Sequence, residues 1–531
     1  MTSTESRTAL STLLISPAGW RVVLCWLLLM MLTGCVATPV VREHAVPLTP
    51  AEREATWLGQ WAHWSGLPYP GKSGFALLSN GQDAFTLRML LVEQADRRLD
   101  IQTYLMGDGL TTRLLLHRLL AAAERGVEVR LLIDDIGAVG QGRTLAALDS
   151  HPNIQVRVYN ALSVGRGSMA GRVLASVPQA ARQHRRMHNK LWIADGALAI
   201  VGGRNLGDEY YSANEPRNFT DLDLLALGPV ADQLSDGFHL YWNHGLAQPV
   251  GRFHAVDAAA GRELQTLLET WVELADDAPY LAALRRRYAD LEQGPLVGQL
   301  HWGEGVALWD PPGKPAWLGR PAFERTMAGA LYEALGEPRE RLMLISAYFV
   351  PGEHGSRWLT ELAESDVNVM VFTNSLEATD VPVVHGAYQG YRNELLDSGV
   401  SLYELRAEGE PDDEIGFGVG TSASALHIKA LGIDGERIFV GSPNADPRSV
   451  WWNTEVGILA TSPGLAAELD ALAEVGRSPT LSYRVEQDTT GNLSWLTILE
   501  GEPQRLEREP GGFWRRLGAR LGRIGWLEPL L

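Results

Sequence analysis

The chain has 531 residues, a formal net charge of -18 and a composition typical of globular proteins. This length is sufficient for two hydrophobic cores, so two domains are the first expectation. The acidic balance argues against broad, sequence-independent binding of nucleic acid, which requires a basic surface. A local basic pocket remains compatible with this charge.

Residues 1–34 have the pattern of a signal peptide. Arg21 precedes an apolar run at 22–31 that is short for a membrane span, and residues 32–35, Leu-Thr-Gly-Cys, resemble a bacterial lipobox. We therefore expect a lipoprotein signal peptide at 1–34 and lipidation of Cys35; an uncleaved anchor is the alternative. After cleavage Cys35 is the only cysteine, so no intrachain disulfide is expected.

The residues after the lipobox bear on the location of the mature chain. Val36, rather than an aspartate, follows the cysteine. By resemblance to Gram-negative lipoproteins, this favours the outer membrane, with the protein facing the periplasm. Residues 35–80 carry several prolines and the tryptophans Trp57, Trp61 and Trp64. We expect a tether and docking segment here, with a short helix.

Beyond this segment, helical and extended patterns alternate. Helices are predicted at 83–95 and 111–125, and strands at 99–104, 127–133 and 154–159. A polar loop is expected around 165–171. This alternation predicts an α/β fold in which helices flank mixed, largely parallel sheets.

The same order of elements recurs in the second half of the chain. Residues 123–129 align with 363–369 at an offset of 240, and His188 aligns with His427 at an offset of 239. Chance similarity between strands does not keep such a register over separate landmarks, so the sequence predicts a duplicated unit. The predicted bounds are 81–248 for the first domain, 249–315 for a helical and irregular connecting segment, and 316–475 for the second domain.

The C-terminal tail, residues 476–531, has a different pattern. Strands at 481–486 and 493–499 are predicted to form a hairpin. Residues 513–527 place four arginines among aromatic and aliphatic residues, which is typical of a basic amphipathic helix, although three glycines weaken the pattern. Such a helix either lies on an anionic membrane surface or packs on the domain as a terminal helix.

Each copy carries the spacing H-x-K-x4-D, followed by a strand and G-[GS]-x-N. Alternate residues of an extended segment point to the same side, so each motif places an imidazole beside an ammonium group, a pair that suits a phosphate. One such spacing has almost no specificity, but its duplication in register favours a functional site. The candidate catalytic residues are His188, Lys190 and Asp195 in the first copy and His427, Lys429 and Asp434 in the second.

Two related halves that face each other would bring the two imidazoles to opposite sides of a phosphorus atom. One imidazole then attacks while the other protonates the leaving oxygen. The lysines, with the candidate phosphate ligands Asn205, Ser442 and Asn444, stabilise charge on the phosphoryl oxygens. Because neither copy carries a close cluster of Asp, Glu and His, we expect no metal and no other cofactor.

With these motifs the chain resembles the phospholipase D superfamily, whose members carry two HKD motifs. The resemblance extends from about Phe85 to the C-terminus, and the sequence in detail is similar to that of the cardiolipin synthase C-like branch. The segments that carry it are MHNKLWIADGALAIVGGRNLGDEY, FTDLDLLALGPV, ISAYFVPGE, TNSLEATDVPVVHGAYQGYR, LHIKALGID and VGSPNADPRS. It implies duplicated phospholipase D-type α/β domains with one pseudo-two-fold active site.

The resemblance also implies roles for individual residues. It gives His188 as the nucleophile and His427 as the general acid and then base, and this assignment could be reversed. Asp195 and Asp434 are implied to support a turn rather than to react. Asp221 and Glu455 match the acidic residues that orient the histidines through their other ring nitrogen.

Four further residues are candidates for contacts with the substrate. Arg204, Asp208 and Glu209 are candidates for the headgroup, with capping or surface roles as the alternative, and His385 is a candidate for the pocket, with core or loop packing as the alternative.

The resulting leading hypothesis is a membrane-associated phosphatidyltransferase. It makes cardiolipin from phosphatidylglycerol and a second phospholipid, through a phosphohistidine. Its expected partners are phospholipids and the membrane, the latter through lipidated Cys35 and the C-terminal helix; no nucleic acid is expected. The alternatives are a hydrolytic phospholipase D, a phosphodiesterase or nuclease of the same superfamily, and a non-catalytic envelope lipoprotein.

Overall fold

The computed structural model describes residues 44–162, 184–214, 217–275, 278–293, 299–408, 423–524 and Glu528. The predicted signal peptide, the lipidation site Cys35 and the polar loop at 165–171 lie outside these residues, as do residues 525–527 of the predicted C-terminal helix. Among the described residues, no helix is long and apolar enough to cross a membrane. Residues from Ala45 onward form one compact unit.

The first half of this unit contains eight helices and nine strands within the described ranges. Its helices are α1 Pro50–Glu54, α2 Trp57–Gly66, α3 Gly81–Gln94, α4 Leu110–Glu124, α5 Gly142–Leu148, α6 Pro229–Asn243, α7 Ala258–Leu274 and α8 Pro279–Gln293. Its strands are β1 Ser73–Leu78, β2 Arg98–Thr103, β3 Glu128–Asp134, β4 Ile154–Tyr159, β5 Leu191–Ala194, β6 Leu198–Gly202, β7 Arg217–Thr220, β8 Asp223–Leu227 and β9 Ala247–Pro249.

The second half repeats this order and adds a C-terminal extension. Its strands are β10 His301–Trp309, β11 Arg341–Ser346, β12 Asn368–Asn374, β13 Ser401–Leu405, β14 Ala423–Leu426, β15 Lys429–Ile433, β16 Arg437–Gly441, β17 Val456–Thr461, β18 Ser482–Gln487, β19 Leu493–Leu499 and β20 Glu502–Leu506. Its helices are α9 Met327–Leu335, α10 Gly352–Glu364, α11 Pro382–Tyr388, α12 Arg392–Asp397, α13 Pro447–Trp451, α14 Pro463–Gly476 and α15 Phe513–Gly522.

The strand orders confirm the predicted duplication of an α/β unit. The first sheet runs β9-β4-β3-β2-β5-β6-β8-β1, and the second runs β18-β13-β12-β11-β15-β16-β17-β10. The sheets are mixed, but the expectation that they are largely parallel is wrong. Within these two sheets, only consecutive strands joined through helices, such as β2 and β3, are parallel. The remaining pairs are antiparallel, both in hairpins such as β5–β6 and between strands distant in sequence such as β2 and β5.

Strand β10 lies inside the segment that was expected to be helical and irregular. Its first residues pair with β1 and its last six with β17, so it joins the two sheets into one sheet of 18 strands. Two glycines interrupt its apolar pattern; a Cβ on Gly305 would lie 2.7 Å from the ring of Phe75. Similarly, β1 lies within the expected tether at 35–80 but pairs with β8. Both sheets therefore extend beyond the predicted domain bounds.

The C-terminal tail continues the second sheet. Strands β18 and β19 form the predicted hairpin, and β18 pairs with β13. Helix α15 is shorter than the prediction and packs on α11, as the terminal-helix alternative requires. The contact depends on glycines: a Cβ on Gly386 would lie 1.9 Å from the carbonyl oxygen of Ala519, and one on Gly522 would lie 1.7 Å from that of Val383. Only glycine permits this close approach of the two helices.

The motif aspartates lie in the hairpin turns that follow β5 and β15. Asp195 and Asp434 have φ angles of 50° and 53°, and a glycine with positive φ follows each, as in a type I′ turn. The Asp195 carboxylate accepts hydrogen bonds from the backbone N–H groups of residues 96–98, and that of Asp434 from those of residues 339–341. These contacts hold each hairpin against the start of the neighbouring strand, the supporting role implied by the resemblance.

Candidate active site

The two motif histidines lie where the two halves of the chain meet. The backbone N–H of His188 donates to the carbonyl of Thr454 over 2.9 Å, and that of His427 donates to the carbonyl of Thr220 over 2.7 Å. Strand β7 of the first half also pairs with β14 of the second, directly before His427. Each motif is therefore held in place by backbone from the other half.

The same exchange continues in the side chains. The Nδ1 atom of His188 lies 2.9 Å from Oε2 of Glu455, and the Nδ1 atom of His427 lies 2.6 Å from Oδ2 of Asp221. Both carboxylates are buried. Because Nδ1 faces the carboxylate, Nε2 is the ring nitrogen that remains for a reacting phosphorus or proton. Asp221 and Glu455 contact the histidines as expected, but each carboxylate contacts the histidine of the other half.

The motif lysines lie beside the histidines. The Nζ atom of Lys190 donates to the carbonyl of His188 over 2.7 Å, and that of Lys429 donates to the carbonyl of His427 over 2.6 Å. An ammonium group has three N–H donors, so both retain donors for a phosphoryl oxygen. Burial lowers the pKa of both lysines, and for Lys190 the pKa falls well below its usual range.

The two imidazoles have different electrostatic surroundings. Burial, followed by the charges of Lys190 and Lys429, lowers the pKa of His188 well below its usual range. Burial and Lys429 also lower the pKa of His427, but Asp221 opposes this shift. Burial alone would raise the pKa of Asp221, yet His427 and Lys429 outweigh it, so the net pKa is lowered. The neutral form is thus favoured most at His188, while an ionised Asp221 faces His427.

The predicted phosphate ligands have unequal surroundings. Asn205 donates from Nδ2 to the hydroxyl of Tyr210 over 2.8 Å. Asn444 is buried, and its Oδ1 has no hydrogen-bond partner among the described residues. The Ser442 hydroxyl instead donates to Oε2 of Glu455 over 2.5 Å and accepts from a backbone N–H. The Ser442 hydroxyl is thus directed at Glu455 in this structure, and its contact with the phosphate stays a prediction.

Gly203 and Ser442 are matched to carboxylates of different length. They occupy equivalent positions after β6 and β16. A Cβ on Gly203 would lie 2.1 Å from Oδ1 of Asp221, so the short aspartate occupies the space that a side chain would need. In the second half, the longer Glu455 leaves room for the serine hydroxyl that bonds to it.

Two positioning residues at the ends of β3 and β12 were missed by the sequence reasoning. The Asp134 carboxylate accepts from the backbone N–H of Met187 over 2.9 Å, and Oδ1 of Asn374 accepts from that of Leu426 over 2.8 Å. Each thus fixes the residue directly before a motif histidine. Asp134 and Asn374 are 240 positions apart, which equals the offset between residues 123–129 and 363–369. Alignment of the two copies could therefore have identified both positions.

Aromatic rings line the histidines and were also missed. The Tyr104 ring lies 4.9 Å from the His188 ring, edge-on, and the Tyr210 ring lies 5.3 Å from the His427 ring. Phe219 lies 5.0 Å from His427 on another side. These apolar faces contribute to the burial that favours neutral imidazoles.

Arg204 and Asp208, two of the headgroup candidates, and the pocket candidate His385 have structural contacts. Arg204 is buried and pairs with Asp223 over 3.2 Å. The Asp208 carboxylate accepts from backbone N–H groups at the start of α4, as a capping residue does. His385 is buried against Glu509 at 2.8 Å and Arg392. In this structure Asp208 therefore has a capping role, and Arg204 and His385 have packing roles.

Fold and site together define a duplicated protein of the phospholipase D type. The family model described as "Cardiolipin synthase, PLD-like domain" matches residues 90–242 and 331–474. The chain is 36% identical to cardiolipin synthase C of Escherichia coli (strain K12) over 473 residues, which cover 87% of this chain and 97% of the relative. It therefore belongs to the cardiolipin synthase family with phospholipase D-like domains, and it is a phospholipid phosphatidyltransferase.

More distant proteins share this similarity. Cardiolipin synthase A of Salmonella arizonae is 24% identical over 413 residues, or 77% of this chain and 70% of the relative. Among solved structures, phosphatidylserine synthase of Haemophilus influenzae Rd KW20 superposes with a TM-score of 0.55 at 12% identity. The match covers 89% of this chain and 100% of that chain, and at this identity it concerns the fold.

We predict that Gly203→Ala strongly reduces turnover. The added methyl group would displace the Asp221 carboxylate from His427, and general acid–base catalysis typically contributes about 100-fold or more. Rates of phosphatidyl transfer measure the effect, with circular dichroism as a check on folding. The matched control is Gly245→Ala, because a Cβ there meets no atom within 4 Å. Equal activity of both variants would contradict the proposed contact.

Proposed function

We propose that this protein makes cardiolipin by transferring a phosphatidyl group from one phospholipid to the glycerol headgroup of phosphatidylglycerol. The observation that carries the proposal is the arrangement of two buried imidazoles, each bonded at Nδ1 to a carboxylate of the other half, with a lysine beside each. The names of the relatives, two cardiolipin synthases, support a phospholipid substrate.

In the first step, Nε2 of His188 attacks the phosphorus of the donor lipid. A P–N bond forms, the P–O bond to the leaving headgroup alcohol breaks, and the alcohol oxygen takes a proton from Nε2 of His427. Lys190 and Lys429 balance the charge of the non-bridging oxygens. The lowered pKa of His188 supports its role as the neutral nucleophile. Burial also lowers the pKa of His427, but ionised Asp221 opposes that shift, so of the two imidazoles His427 is the better placed to carry the proton.

In the second step, the acceptor alcohol displaces His188 from the phosphorus atom. The acceptor hydroxyl gives its proton to His427 and attacks phosphorus, so the P–N bond breaks and neutral His188 is released. With phosphatidylglycerol as acceptor, the product is cardiolipin; with water, it is phosphatidic acid. The site geometry is common to both outcomes, and the products distinguish a synthase from a hydrolytic phospholipase D.

Product analysis tests this proposal. The mature protein is incubated with labelled phosphatidylglycerol, alone or with phosphatidylethanolamine. We expect cardiolipin in both cases, with release of glycerol from phosphatidylglycerol or of ethanolamine when phosphatidylethanolamine is the donor. His188→Ala is the inactive control. Phosphatidic acid as the only lipid product would leave a phospholipase D, and a lack of turnover on any lipid would contradict an enzymatic role.

An activated donor separates the roles of the histidines. A phosphatidyl p-nitrophenol ester releases a phenolate that needs no proton, so His427→Ala should still give one rapid burst of p-nitrophenol per chain, whereas His188→Ala should give none. Because the pKa of His188 lies below its ordinary 6.5, the acidic decline of the burst rate should lie below that pH. Bursts in His188→Ala but not in His427→Ala would reverse the assignment.

We further propose that lipidated Cys35 and helix α15 hold the protein at the outer membrane, on its periplasmic side. The face of α15 opposite α11 is apolar: Phe513 and Trp514 are 70% and 77% exposed, and Leu517 and Leu521 are also exposed. Two exposed arginines, Arg520 and Arg523, accompany them. A chain of net charge -18 would be repelled by anionic lipid elsewhere, so this local basic, apolar face suits an anionic bilayer.

Helix α15 also contacts the segment that carries Asp380. Arg515 of α15 donates to the carbonyl of Thr379, and Arg217 at the start of β7 donates to that of Ala378. Asp380, the residue after Thr379, accepts from the hydroxyl of Tyr348, and its charge opposes the lowering of the pKa of Lys429. A bilayer in contact with α15 would thus lie next to a segment whose charge acts on a motif lysine.

Vesicle flotation tests the role of the helix. The full mature chain with Cys35→Ser should bind vesicles containing phosphatidylglycerol more strongly than vesicles of phosphatidylcholine. Trp514→Asp with Arg520→Glu and Arg523→Glu should reduce binding by at least about tenfold, since each basic residue contributes about 1 kcal/mol near an anionic surface. Arg143→Glu with Arg339→Glu is the control, because it reproduces the two arginine reversals at exposed sites elsewhere. Equal binding of both variants would exclude α15 as the contact.

A further inference from the structure

The second copy has no counterpart to Arg204, the buried arginine that follows Gly203 in the first copy. Arg204 follows Gly203 in the first copy, and its Nη2 donates to the backbone carbonyl of Asp221 over 2.7 Å. Arg204 thereby supports the residue that bonds to His427. The equivalent position in the second copy is Pro443, which follows Ser442 and carries no charge.

Lys314 supplies a cation behind the second site. It lies in the segment between β10 and α9, outside both motifs, and its side chain is 1% exposed. Its Nζ atom lies 2.8 Å from Oδ1 of Asp310 and 3.3 Å from the carbonyl of Ser449. A fully buried ammonium group is costly unless it is paired in this way. The sequence reasoning had placed both residues in a connecting segment without a function.

Asp310 transmits this contact to Glu455. Its Oδ2 accepts from the backbone N–H of Glu455 over 3.0 Å, and its own N–H donates to the carbonyl of Glu455 over 3.1 Å. Oδ1 accepts from Met327 in addition to Lys314. The backbone of Glu455 is therefore held on both sides by a residue that Lys314 neutralises.

Charge at this place is finely balanced. Burial raises the pKa of Asp310 to about 6 and also raises that of Glu455; Lys314 opposes both shifts. The charged groups around Glu455 are His188, Lys190, Lys429, Lys314, Asp310 and Asp446, together with the phenols of Tyr104 and Tyr241. Among these cations, Lys314 alone lies outside the two motifs, so it acts from behind the carboxylate.

We propose that Lys314 is a positioning residue for the nucleophilic side of the site: through Asp310, it holds the Glu455 carboxylate against Nδ1 of His188. The inference rests on the proposed function, in which His188 attacks phosphorus. Under this proposal, the predicted connecting segment at 249–315 contributes two positioning residues, Asp310 and Lys314, to the active site. The proposal also explains how the second copy functions without an arginine after Ser442.

The test uses the full mature enzyme and the activated p-nitrophenyl donor. Lys314→Met should slow the burst about 30-fold or more with little change in the KM of the donor. Loss of the positive charge raises the pKa of both Glu455 and His188, so the acidic limb of the burst rate should move to higher pH. Lys314→Arg keeps the charge and should restore much of the rate.

A second variant predicts a shift of the opposite sign. Asp310→Asn removes a negative charge beside Glu455, so the acidic limb should move to lower pH while the rate still falls. The control is Arg130→Met, which breaks an equally buried pair with Asp100 at 2.6 Å in the first half. Arg130→Met should lower the thermal midpoint of unfolding without shifting the acidic limb of the pH dependence of the burst rate.

The outcomes separate the inference from the proposed function. Absence of a burst in the wild-type enzyme would contradict the function itself. A wild-type burst with an unmoved limb in folded Lys314→Met, or with equal shifts in Lys314→Met and Arg130→Met, would reduce Lys314 to a structural ion pair. If Lys314→Met does not fold, the shift in Asp310→Asn decides alone, and an unmoved limb there would overturn the inference.

Discussion

The hydrogen bond between a histidine of one half and a carboxylate of the other is the interaction on which this structure depends. His188 contacts Glu455 and His427 contacts Asp221, all within a buried interface. Separation of the halves would remove the imidazole partner of each carboxylate, and breaking such a buried pair is costly. The shared strand β10 and the β7–β14 pair hold the same interface through backbone bonds. The two duplicated units thus form one active site at their interface.

Within this symmetric frame, the two carboxylates are supported by different means. Asp221 lies directly on Gly203, with Arg204 behind it, whereas Glu455 receives the Ser442 hydroxyl and is backed by Lys314 through Asp310. Divergence of this kind suits a reaction in which one imidazole must begin neutral and the other protonated. Because His427 gives a proton to the leaving alcohol in the first step and takes one from the acceptor hydroxyl in the second, the asymmetry serves both halves of the catalytic cycle.

Repetition made much of the architecture predictable from the sequence. The H-x-K spacing and the offset near 240 identified both motifs, and helices such as α4 were predicted within one residue. The cross-half exchange was not predictable, because it depends on how the two units face each other. Strand β10 was missed because glycines that permit close contacts interrupt its pattern. The direction of the Ser442 hydroxyl and the role of Lys314 depend on side-chain packing, which spacing alone does not reveal.

The most direct test of the account is the stoichiometry and position of the covalent intermediate. The wild-type enzyme is mixed with labelled donor, quenched in alkali to preserve phosphohistidine, and mapped by mass spectrometry. A single site shared by both halves predicts at most one phosphatidyl group per chain, attached to His188. Two groups per chain, or a label on His427 alone, would contradict a shared site in which the two histidines have the divided roles proposed here.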